Sequence, residues 1–239
     1  MFEPVKIAFG EYLQGSYRDM VATTPTMKEF KSRGFAYCFA FAPSRMVDKA
    51  QEMLDAWQRN DTDQKPTTPP KFPVVLVGFA KDYSPTGREY TRQIVDELPV
   101  IIPEDPKQRY FKVKTVSADL RVQIAVISAD EATAKSIFGQ ILLYIDSPTR
   151  RGFDAVYEFA KLQVRYPCQI ENPDLVASNV EVGSNNVTML VTDLNLHCTV
   201  PIYSAPSDDE PNDGKGTGKD DPSGYRVVDV ITNESNSIR

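Results

Sequence analysis

Histidine occurs once in these 239 residues, at His197, and cysteine three times, at Cys38, Cys168 and Cys198. That scarcity excludes much of the chemistry a chain of this length otherwise supports. No C-x-x-C is present, so a zinc site would have to gather isolated ligands from distant positions, and no metal ligand is assigned. Three cysteines, odd in number and far apart in sequence, fit a reduced setting better than a disulfide framework. G-x-G-x-x-G, H-E-x-x-H and G-x-S-x-G are all missing. Long apolar runs are missing too, since no window approaches the ~20 residues of a membrane helix. The opening MFEPVKIAFGEYL carries acids and no continuous apolar core, which argues against a signal peptide. Cations are not in excess: the net charge is −6, against what phosphate neutralisation needs. Six acids and two lysines in residues 204–221 account for −4 of it, so the rest is nearly balanced.

The one histidine stands beside a cysteine, in LNLHCTVPIY (194–203). Adjacent residues on a strand point to opposite faces, so the pair cannot act as base and nucleophile on one face. Cys198 is in phase with Leu190, Leu194, Leu196, Val200 and Ile202, and His197 with Asp193, Asn195 and Thr199. The expectation is a core thiol and a surface imidazole. GKGTGKDD (214–221) fails as a phosphate loop, because Asp220 follows Gly218-Lys219 and Asp213 replaces the leading glycine. Asp61 and Asp63 begin a calcium-loop spacing that Lys65 breaks. The neighbouring carboxylates Asp96-Glu97 and Glu104-Asp105 read as solvated turn charges. Catalytic, cofactor-binding and metal-binding residues are therefore all set at none.

Ordinary globular composition remains, with 41% hydrophobic and 25% charged residues. Residues 1–34 read as an extended arm punctuated by Gly15, Pro25 and Gly34. FAYCFAF (35–41) alternates aromatic with small residues and predicts a strand. SRMVDKAQEMLDAWQ (44–58) has a helical stripe through Met46, Val47, Ala50, Met53, Leu54 and Trp57, with Ser44 as N-cap. PVVLVGFA (73–80) predicts a buried strand, and residues 109–128 either a hairpin or one long strand with Leu120, Val122, Ile124 and Val126 on a face. A helix follows, with Ser128 as N-cap, Glu131 as its capping-box partner, a stripe of Ala134, Ile137, Phe138, Ile141, Leu142 and Ile145, and a stop at Pro148. Residues 152–166 read as a helix breaking into a strand. VASNVEVG and VTMLVTDLNLHCTVPIY read as a hairpin around SNN (184–186).

The reading is an α+β protein with a mixed, mainly antiparallel sheet flanked by helices and extended N- and C-terminal arms. Its parts are an arm over 1–34, a body over 35–203, an acidic flexible linker over 204–224 and a strand-like tail over 225–239.

RYFKVKTVSADLRVQIAVISADEATAKSIFGQILLYI, a strand, acidic turn and capped helix, and the later strand ending TDLNLHCTVPIY resemble tail-terminator or neck proteins of tailed bacteriophages. The resemblance spans roughly residues 73–203 as a pattern of elements. It implies a non-enzymatic virion protein, assembled in the host cytoplasm as a homo-oligomeric ring, a hexamer, between the head connector and the tail tube or sheath. It implies no cofactor, no membrane and no sequence-specific nucleic acid. Departures at 1–60 and 204–239 leave another tail or baseplate station open, as well as a non-viral adaptor that binds partners through its terminal arms; an enzyme built from scattered carboxylates is disfavoured.

Overall fold

The structure is a computed structural model that describes residues 1–44, 49–59, 71–86, 96–103, 105–107, 109–159, 161–171, 175–180, 187–204 and 224. Two long strands, β5 (Tyr110–Ser128) and β9 (Thr188–Ser204), set its frame. They pair antiparallel from Lys112 opposite Ser204 to Ser128 opposite Thr188. Both are rich in β-branched and aromatic residues, whose side chains fit a pleated, packed surface. Residues 109–128 thus form one strand and not a hairpin.

Around that ladder stand β1 (Phe39–Ala42), β2 (Val74–Phe79), β6 (Gly152–Phe159) and β7 (Leu162–Ile170), in the order β1-β2-β5-β9-β7-β6. Only β1 and β2 pair in parallel; the other pairings are antiparallel. Three short strands complete the sheet: β3 (Ser84–Pro85) and β4 (Leu98–Ile101) on β5, and β8 (Ser178–Val180) on β9. The fold is α+β, with a mixed, mostly antiparallel sheet flanked by helices. The hairpin expected around residues 184–186 is present as β8 and β9, though its turn lies outside the described residues.

One face carries the larger core. It gathers Leu120, Val122, Ile124 and Val126 from β5, Leu194, Leu196 and Cys198 from β9, and the apolar stripe of helix α5 (Glu131–Asp146). Residues 1–34 contribute to it as well, which overturns the extended N-terminal arm. They form helices α1 (Glu3–Asp19) and α2 (Pro25–Arg33). Val5, Phe9, Leu13, Met27 and Phe30 are all fully buried there. Each large apolar side chain so buried contributes about 1.5–3 kcal/mol, far more than an arm gains by lying on a surface. Thr24 caps α2 by accepting from the Met27 N–H, and Gly34, at φ 87°, supplies the left-handed residue that ends it.

The second core lies on the other face. Met53, Leu54, Ala56 and Trp57 of helix α4 (Ala50–Gln58) pack there on Ala40, Leu76, Ala125, Ile127 and Met189.

Four further expectations change. The strand expected at 35–41 begins only at Phe39, because Phe35–Cys38 make a single helical turn, α3, whose Phe35 ring meets Tyr17 edge-on and stacks on Phe39. Helix α4 has Lys49 at its N-cap, not Ser44, and residues 45–48 lie outside the description. Helix α5 is capped by Asp130, which accepts from the Thr133 N–H at 2.7 Å. Ser128, the expected cap, instead accepts from the Asp130 N–H. Strands Gly152–Phe159 and Leu162–Ile170 pair as the hairpin β6–β7, with no helix among the described residues there. There Ala155 and Tyr157 point inward while Asp154, Val156 and Glu158 point outward, a period-two pattern. Lys161, at φ 62°, forms part of its turn. The linker and tail expected over 204–239 lie outside the described residues except for Ser204, the last residue of β9, and Gly224.

Candidate functional site

β9 separates His197 from Cys198 as alternation requires, but the environments are not those expected. Cys198 is fully buried in the larger core. His197 is only 9% exposed, so the surface imidazole is overturned. It lies between two neighbouring strands, with Asp119 of β5 as its cross-strand partner on one side and Gln169 of β7 on the other. Flanked on both sides, a polar-face residue near the middle of a sheet loses its solvent.

Asp119 Oδ1 stands 2.7 Å from His197 Nδ1. Glu171, which leaves the end of β7 with its N–H bonded to the Asn195 carbonyl, places Oε1 3.5 Å from the same nitrogen. Thr86 follows β3, donates its N–H to the Ser117 carbonyl and holds Oγ1 3.3 Å from Nδ1. One donor atom from each of Asp119, Glu171 and His197 falls within 4.8 Å of the other two. Nothing in the sequence marked this set, since Asp119 and Glu171 lie 78 and 26 residues before the histidine and occupy no motif.

The cysteines are closer in space than in sequence. Cys168 and Cys198 face each other across β7 and β9. Burial, reinforced at Cys168 by the thiol opposite and at Cys198 by Asp119, pushes both up to about 12. They stay as protonated, unreactive core thiols. Burial likewise raises Cys38, partly offset by the Arg33 charge.

Of the adjacent carboxylates, Glu97 reaches Lys112 and Lys114, 3.6 Å from each, at the surface. Asp105 is not a solvated charge. It is 2% exposed and takes a two-point contact from the Arg109 guanidinium, at 2.8 and 3.0 Å. Glu104 and residues 214–221 lie outside the described residues. Among the described residues, no helix is long and apolar enough to cross a membrane. No family model matches the chain, and no curated protein matches it at a significant level.

Proposed function

We propose that the chain is a structural subunit of a tailed-bacteriophage particle, forming a homo-oligomeric ring of the neck that terminates the tail and joins it to the head connector. A mixed sheet flanked by helices is the architecture that the resemblance implies, and it supports the reading. The observation that carries it is an open apolar strand edge next to an anchored point of the C-terminal chain. β4 pairs with β5 from Leu98 opposite Val113 to Ile101 opposite Tyr110, and among the described residues no strand lies on its other side. Leu98 and Ile101 are 45% and 56% exposed. An apolar edge of this kind templates a strand from another chain. Pro99 withholds one donor and so restricts which register such a strand takes.

Gly224 is buried against the side chain of Arg109, which is one residue from the Ile101–Tyr110 pair; a Cβ there would collide with Arg109 Cβ. Residues 225–239 continue from this point, beginning YRVVDVI, a strand-forming composition. In a ring, head-to-tail contacts repeat around the axis, so the tail of one subunit adds to β4 of the next. The further partners on this reading are the tail tube or sheath and the connector.

Light scattering and electron microscopy of the purified protein test this. The expected result is ring-sized particles, formed alone or on addition of tail or connector proteins. Deletion of 225–239 should give monomers with an unchanged thermal midpoint. A chain that stays monomeric under all these conditions and never joins a phage particle overturns the reading.

A further inference from the structure

Three oxygen atoms from separate parts of the chain converge on His197 Nδ1. Asp119 Oδ1 lies at 2.7 Å, Thr86 Oγ1 at 3.3 Å and Glu171 Oε1 at 3.5 Å. An imidazole nitrogen carries at most one proton and so satisfies one of these oxygens well. The two carboxylates are held with ligand oxygens within 4.8 Å of each other and of the imidazole nitrogen. The imidazole side chain is 11% exposed, that of Asp119 21% and that of Glu171 38%. Water screens like charges less at such partly enclosed positions than on an open surface.

The geometry points to a divalent transition-metal site, of the Zn2+ or Mn2+ class, with Asp119, Glu171 and His197 as its protein ligands. Nothing in the ring reading is needed for it. A dication at the centre meets both carboxylates at once. One imidazole nitrogen with two carboxylate oxygens suits these ions; calcium asks for six to eight oxygens and copper(I) for sulfur. Their bonds of about 2.0–2.2 Å need the Asp119 oxygen and the His197 nitrogen to part to roughly 3.3 Å, a side-chain adjustment.

Binding through Nδ1 needs a neutral ring with its proton on Nε2, and Nε2 has no hydrogen-bond partner among the described residues that would oppose this tautomer. Three protein ligands leave a position open for water or for the Thr86 hydroxyl. The ion would tie the end of β7 and the segment after β3 to the centre of the β5–β9 ladder.

The test uses the full chain, stripped by a chelator and titrated calorimetrically with ZnCl2 and, separately, MnCl2. One equivalent of at least one ion is expected to bind and to raise the thermal midpoint. Asp119→Asn, Glu171→Gln and His197→Gln should each weaken binding by at least ~100-fold, as loss of a direct ligand exceeds the 10–100-fold typical of outer partners. Glu171 is the most exposed of the three, so Glu171→Gln keeps the test decisive if a buried substitution fails to fold. Failure of both ions to bind stoichiometrically, or full affinity in Glu171→Gln, overturns the site.

Discussion

Asp105 and Arg109 form the most enclosed ion pair among the described residues, with side chains 0% and 3% exposed. Burial alone would raise the Asp105 carboxyl, but hydrogen bonds from the Arg109 guanidinium and from the Lys107 and Arg109 N–H groups outweigh it and hold the acid below its usual range. The pair therefore stabilises the fold fully above an unfolded-state value of about 4, and this contribution fades as pH falls through the lower folded-state value. Asp105→Asn should lower stability at pH 7, because it takes the carboxylate charge out of the two-point contact with the buried Arg109 guanidinium. Urea denaturation from pH 7 down to the acid limit checks both points: the variant should be less stable at neutrality, and its stability should fall less steeply below about pH 4. The sequence shows Asp105 and Arg109 four apart around a Pro turn, yet it read Asp105 as solvated. Burial of a charge depends on what packs around it, and Gly224, more than a hundred residues later, lies against the side chain of Arg109, the partner of Asp105. His197 was misread in the same way, for alternation gives a side chain its face and leaves open whether neighbouring strands enclose it.

Elements were legible where the pattern was long and unambiguous. The α5 stripe of Ala134, Ile137, Phe138, Ile141 and Ile145 is buried as its 3.6 period requires, and the apolar run of β2 is buried along its whole length. Ends were less legible. Both Ser128 and Asp130 can cap a helix, and the choice falls to Asp130 because its carboxylate meets the Thr133 N–H while Ser128 is still the last residue of β5. Asp130→Ala should cost about 0.5–2 kcal/mol in chemical denaturation, more than Ser128→Ala; the reverse order would return the cap to Ser128. Residues 152–166 failed because Ala, Glu and Lys favour a helix locally. Pairing with β7, continued onto β9, overrides that propensity.

At the scale of the molecule, α1 and α2 decide whether the sheet has a complete core. Phe9 lies against Phe79 and Phe153, and Tyr17 against Phe30 and Phe39, so both helices are interleaved with β1, β2 and β6. Deleting residues 1–34 should abolish the cooperative thermal transition, whereas removal of a true arm would leave it intact; calorimetry of the truncated chain separates the two. Reading 1–34 as an arm followed from Gly15 and Pro25, but Gly15 sits inside α1 and Pro25 opens α2, where its missing N–H costs nothing. The sequence by itself determined the α+β class, the buried strand β2, the long last strand β9, the apolar stripe of α5 and the opposite facing of His197 and Cys198, because periodicity and local propensity are properties of neighbours along the chain. Only the tertiary structure decided that 1–34 belongs to the core, that Cys168 faces Cys198, and that Asp119, Glu171 and Thr86 meet at His197. Those outcomes depend on strand order and register, and register joins residues that local pattern never compares.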